Sequence, residues 1–104
     1  MTDYRFHCRE YGIPDYCRDP LCDYLTKGKP PGRFLTAVLE NDFVTAASCA
    51  DDINAAALTA YARFLVNVAP PYVWGSKENV RRWIERADAG HYHVLPGRGR
   101  LDDV

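Results

Sequence analysis

Apolar positions recur at helical spacing along most of the chain. Leu21, Tyr24 and Leu25 fall at i, i+3, i+4, and Phe34, Leu35, Val38 and Leu39 at i, i+1, i+4, i+5. Phe43, Val44 and Ala47 mark a third, short segment. The longest run sets Ala57, Tyr61, Phe64, Leu65 and Val68 at i, i+4, i+7, i+8, i+11, and the last sets Val80, Trp83, Ile84 and Ala87 at i, i+3, i+4, i+7. Spacing of this kind gathers apolar side chains on one face of a helix. No stretch shows the period of two that a half-buried strand requires. The pattern predicts an all-α fold, a single small domain of four to five short helices joined by Pro/Gly turns.

Punctuation residues place the ends. Asp19-Pro20 reads as an N-cap followed by proline at the first helical position; Pro14-Asp15 offers an earlier start, with a kink at Pro20. Gly28 stops that helix, and Lys29-Pro30-Pro31-Gly32 is a stiff connector. Asn41-Asp42 ends the next helix and caps another that closes near Ala50. Asp51-Asp52 caps the longest expected helix, over residues 53–69, which Pro70-Pro71 terminates. Ser76 caps the last and Gly90 closes it. Residues 1–12 read as an irregular segment, 13–90 as the helical domain and 91–104 as a flexible tail.

Composition fits this picture. At 104 residues, 47% hydrophobic and 26% charged, the chain has the profile of one globular domain with one modest core. No apolar run approaches the roughly 18–20 residues of a membrane span, and Met1-Thr2-Asp3 does not begin a signal peptide. The expected location is therefore cytoplasmic, with no membrane contact and no cofactor.

Charge alters the picture more. The formal net charge of −1 excludes a uniformly basic nucleic-acid binder. By segment, however, Lys27, Lys29 and Arg33 stand without an acid over residues 27–33. Residues 34–60 carry Glu40, Asp42, Asp51 and Asp52 without a base. A basic stretch returns with Arg81, Arg82 and Arg86.

The basic turn is the first candidate site. Lys27, Lys29 and Arg33 would supply charge-assisted contacts to phosphate or carboxylate, Gly32 close backbone approach at a helix start, and Thr36 a hydroxyl. The spacing is not that of a P-loop. Tyr72 and Trp74 offer ring faces for stacking on a base, and Ser76 a further hydroxyl. Tyr16 and Tyr24 also lie near turns. Cys8, Cys17, Cys22, His7, His91 and His93 are soft metal ligands, but Cys8-x8-Cys17-x4-Cys22 lacks the paired spacing of zinc sites, so no metal is expected. No nucleophile, base and orienting group form a set, so no catalytic residue is assigned.

The segments Pro30-Pro31-Gly32-Arg33-Phe34-Leu35-Thr36-Ala37-Val38-Leu39-Glu40-Asn41-Asp42, Ala50-Asp51-Asp52, Asn54, Phe64-Leu65, Asn67, Ala69-Pro70, Trp74-Gly75-Ser76 and Trp83 carry a resemblance. Together they resemble short phage- and prophage-encoded helical proteins of unassigned function, over about two-thirds of the chain. The resemblance implies viral origin, a helical fold and the cytoplasm of an infected host. It implies no activity.

Three functions follow as expectations. The first is a counter-defence sponge that sequesters a phosphate-bearing host signal, a cyclic or ADP-ribose-type nucleotide, as a homo-oligomer on the analogy of small phage sponges. The second is a protein–protein inhibitor of a host defence complex, an anti-CRISPR or nuclease antagonist, whose acidic segment 34–60 imitates nucleic acid. The third is a small DNA-binding regulator, against which the missing basic recognition helix weighs.

Overall fold

A computed structural model describes residues 3–93. Along them run seven α-helices and one short 3₁₀ turn, with no strand among the described residues: α1 (Tyr4–Tyr11), α2 (Asp15–Lys27), α3 (Arg33–Leu39), α4 (Phe43–Cys49), α5 (Asp52–Ala56), α6 (Leu58–Asn67), the 3₁₀ turn (Pro71–Val73) and α7 (Lys77–His93). The all-α expectation holds. Residues 94–104, where most of the expected tail falls, lie outside the described residues, as do the side chains of His91 and His93.

The N-terminal segment is a correction: Tyr4–Tyr11 is helix, not irregular chain. Asp3 caps it by accepting the Phe6 amide at 3.1 Å. Gly12 ends it at φ 82°, and the Gly12 and Ile13 amides return to the carbonyls of Arg9 and Cys8. That paired closure needs a residue tolerant of the left-handed region. Tyr4, Cys8 and Tyr11 do form an i, i+4, i+7 stripe, with Cys8 wholly buried and the two tyrosines packed on the core. The cysteine belongs to the apolar face, so counting it only as a possible ligand hides the period.

α2 begins at Asp15 behind Pro14, and Pro20 lies inside it. The Asp19-Pro20 start is thus overturned in favour of the earlier one. Asp19 meets Arg5 of α1 at 2.6 Å instead of capping a helix. The turn ahead of Pro20 is held by packing: Cys17 is buried and points at Asn54, and the Arg18 guanidinium donates to the Ile13 carbonyl at 2.8 Å. Such contacts offset the lost backbone bond that proline imposes.

α3 and α4 pack against one another across the Glu40-Asn41 turn, where Asn41 takes φ 64°. Asp42 caps α4 through the Thr45 amide, and Asp51 caps α5 through the Asn54 amide at 2.8 Å. Two details differ from expectation. In α4 it is Ala46 that is buried, whereas Val44 is 82% exposed and Ala47 also faces solvent. The expected helix over 53–69 is two helices, broken at Ala57 where ψ is 4°. The break turns Asn54 into the core and leaves Ile53 in solvent, while Tyr61, Phe64 and Leu65 of α6 are buried.

Tyr24 anchors the C-terminal part. Its hydroxyl donates to the Val73 carbonyl at 2.5 Å, and its own carbonyl accepts the Trp83 indole N–H at 2.7 Å. One buried residue of α2 therefore holds both the 3₁₀ turn and α7. Ser76 caps α7 as expected, by accepting the Asn79 amide. Gly90 does not close that helix, which continues to His93. The Asn79 amide group reaches back to the Trp74 carbonyl, and the Gly75 amide donates to Leu39 at 2.7 Å. Trp74-Gly75-Ser76 is thereby pinned to the end of α3.

Candidate functional site

The residues expected to form an anion pocket fall into two groups. Lys27 ends α2, Lys29 lies on the connector, Gly32 is the N-cap of α3 and Arg33 its first residue. Trp74 and Ser76 instead sit at the opposite end of α3, through the Gly75–Leu39 bond. A seven-residue helix is about 10 Å long. The two groups are separated by that length, and Trp74 and Ser76 face the helix end where carbonyls, not amides, are unpaired. Tyr72 is more than half exposed and meets Trp83 edge-on at 5.9 Å.

The chemistry of each residue narrows further. A groove of about 260 Å³ runs along the connector, lined by Asp19, Pro20, Asp23, Lys29, Pro30, Pro31 and Gly32. Two carboxylates against one ammonium make a poor cradle for phosphate. Lys27 is drawn to Asp23 at 3.7 Å. The Thr36 hydroxyl donates to the Pro31 carbonyl at 3.4 Å, and that of Ser76 is engaged as a cap. A Cβ at Gly32 would meet nothing within 4 Å, so no neighbouring part of the chain requires a glycine there. Lys29 and Arg33 keep exposed side chains with no ion pair among the described residues. Tyr24 is a core residue, not a loop aromatic, and the Trp74 indole nitrogen is buried without an acceptor among the described residues.

The late basic helix is also tempered. Arg81 bridges Glu78 and Glu85, and Arg82 bridges Glu78 at 2.9 Å. These pairs follow from i, i+3 and i, i+4 spacing on one exposed face. The Glu78 carboxyl is held below its ordinary pKa, first by the Arg82 hydrogen bond.

The acidic block behaves differently. None of the ion pairs among the described residues involves Glu40, Asp42, Asp51 or Asp52. All four lie at or beside helix ends: Glu40 closes α3, Asp42 caps α4, Asp51 caps α5 and Asp52 opens it. Between and beside them stand Val44, 82% exposed, and Ile53, 60% exposed. Tyr16 of α2 adjoins this stretch at Asp51, since its hydroxyl donates to Asp51 at 2.5 Å while the ring stays about half in solvent. The acids were legible in the sequence. The two exposed aliphatics were not, because Val44 reads as part of an apolar stripe until Ala46 is seen to take the inward position.

Two of these carboxylates titrate low. The Tyr16 hydroxyl and then the Asn54 amide hold Asp51 below its ordinary value of 3.8, and Thr45 does the same for Asp42. A lowered folded pKa adds stability at pH values above 3.8, which is lost as the pH falls through the folded value. We therefore expect a flat melting temperature from neutral pH down to about 5 and a decline below about 4. Asp51→Asn should flatten part of that acid limb in a thermal melt series.

Among the described residues no group of three or more His, Cys, Asp or Glu side chains is placed to hold a metal ion, and no helix is long and apolar enough to cross a membrane. Comparison of the chain with protein-family models, curated proteins and solved structures yields no match.

Proposed function

We propose that this protein acts by docking on another protein, presenting the acidic α4–α5 stretch to a basic surface. The observation that carries the reading is the coincidence, in residues 40–53, of carboxylates without ion-pair partners among the described residues and aliphatic side chains left in solvent. An interface commonly joins apolar anchors that exclude water to charges that select and steer the partner. Val44 and Ile53 supply the first; Glu40, Asp42, Asp51 and Asp52 supply the second. A partner whose own work is binding nucleic acid has the complementary surface. The resemblance to phage-encoded proteins makes a host defence complex the setting we favour, with the protein as its inhibitor.

The nucleotide-sponge reading is second, resting on Lys29 and Arg33, which keep exposed charges beside the groove. It loses support from the acids in the groove and from the separation of Trp74 and Ser76.

One set of measurements decides between them. A partner isolated from host extract should bind the purified protein less tightly as salt rises, and Asp52→Lys combined with Ile53→Ser should weaken it by about 10-fold or more. The pair Lys29→Ala and Arg33→Ala should leave that affinity unchanged. Thermal stabilisation by a cyclic dinucleotide, cyclic trinucleotide or ADP-ribose, abolished by the Lys29 and Arg33 substitutions, would transfer the function to the basic turn. A bound partner indifferent to Asp52→Lys/Ile53→Ser would remove the α4–α5 stretch from the interface.

A further inference from the structure

The connector groove holds two opposite charges that do not meet. Gly28 turns the chain back across the end of α2, where its amide donates to the Tyr24 carbonyl at 2.9 Å and the Lys29 amide to the Asp23 carbonyl at 3.5 Å. Asp23 and Lys29 are thus neighbours through the backbone, and both line the groove. Yet no ion pair among the described residues joins them. Asp19, one helical turn before Asp23, is committed to Arg5 at 2.6 Å. Asp23 is held more loosely, by Lys27 at 3.7 Å, whose side chain is 69% exposed. A contact so open to water is worth little and exchanges readily. One carboxylate and one ammonium therefore stay available across a groove of about 260 Å³.

Prolines make much of the remaining wall. Pro20 comes from within α2, and Pro30 and Pro31 from the connector. Their rings are apolar and carry no amide hydrogen to donate. Thr36 fixes the far end of the connector, its amide donating to the Gly32 carbonyl at 3.0 Å and its hydroxyl to that of Pro31 at 3.4 Å. A groove braced in this way spends little on ordering when a ligand enters.

We propose that this groove binds a free α-amino acid with an apolar side chain. The ligand's ammonium pairs with Asp23, its carboxylate pairs with Lys29, and its side chain lies on the proline rings. Such a zwitterion matches the two available charges one for one. A phosphate matches Lys29 but is repelled by Asp19 and Asp23, and a simple amine matches Asp23 but is repelled by Lys29. Size agrees as well. Pockets for drug-sized molecules start at about 300 Å³, so this groove suits a smaller metabolite. The site stands on α2 and the connector, so it holds or fails independently of docking through the α4–α5 stretch.

The test is amide NMR of the isotope-labelled full chain titrated with leucine. Parallel titrations use N-acetyl-leucine, which lacks the ammonium, leucinamide, which lacks the carboxylate, and glycine, which lacks the side chain. The expected result is a saturable shift of the Asp23 and Lys29 signals, with a dissociation constant of about 1 mM for leucine. Each of the three analogues should bind about 5-fold more weakly or worse. Asp23→Asn should weaken leucine but leave N-acetyl-leucine unchanged, and Lys29→Gln should weaken leucine but leave leucinamide unchanged. A general loss of structure would not produce that selectivity. No saturable shift up to about 50 mM leucine, analogues that bind as well as leucine, or substitutions that act on all ligands alike or on none would each overturn the assignment.

Discussion

Gly28→Ala should destabilise the protein by about 3 kcal/mol or more, lowering its melting temperature by more than about 12 °C. Two costs coincide there. Gly28 closes α2 at φ 66°, a conformation that costs an L-residue about 1–2 kcal/mol. An added Cβ would also lie 2.3 Å from the Cβ of Ala87 and 3.3 Å from the Trp83 carbonyl oxygen. Neither obstacle is the loose end of a long side chain. α7 must therefore move away from α2, and the Trp83–Tyr24 hydrogen bond lies directly on that contact. Weakening it adds about 1 kcal/mol. Chemical denaturation of Gly28→Ala, Ala87→Gly and the double variant separates the terms. Removing the Ala87 methyl should cost less in the Gly28→Ala background than in the native chain, by at least about 1 kcal/mol. Strict additivity, or a Gly28→Ala melt within a few degrees of the native one, would show that the close approach costs nothing.

Asn54→Ala should cost about 3 kcal/mol, although it removes only a small polar group. Asn54 is 5% exposed, and its side-chain oxygen accepts the Tyr61 hydroxyl at 2.7 Å and the Cys17 thiol at 3.6 Å. Tyr61 is itself 1% exposed, so its hydroxyl has no route to water once Asn54 is cut back. Burial holds the Tyr61 phenol well above its ordinary pKa, which keeps it a donor at any working pH. The penalty is the stranded donor more than the lost bond. Tyr61→Phe should accordingly destabilise the native chain by about 1 kcal/mol yet be neutral or stabilising beside Asn54→Ala. If Tyr61→Phe costs the same in both backgrounds, the hydroxyl has another acceptor and the coupling is absent.

These two residues show where local reading stops. Gly28 as a helix stop is legible, because a glycine after an apolar i, i+3, i+4 stripe signals a left-handed closure. Its collision with Ala87, 59 positions later, is not. Asn54 reads as an ordinary residue behind a cap. Its role comes from Cys17 and Tyr61, which the break at Ala57 and the early start of α2 bring to it.

The candidate site divides in the same way. Lys29 and Arg33 stay exposed and without an ion pair among the described residues, as a solvated basic turn predicts. The expected gathering of Trp74 and Ser76 around that turn fails because the Gly75–Leu39 bond fixes them to the other end of α3. The acidic block over 34–60 is a property of sequence, but its lack of ion-pair partners among the described residues is a property of the fold.

By itself, then, the sequence determined the helical class, the caps at Asp42, Asp51 and Ser76, the stop at Gly28, and the segregation of charge. Those features rest on interactions spanning three to five residues, so the residue types nearby carry them. The tertiary structure alone decided that Cys8 is core, that Pro20 is tolerated within α2, that Val44 and Ile53 face solvent, and that the site residues separate. Those outcomes depend on which faces meet, a choice made by packing the whole core at once, and no short window of residues contains it.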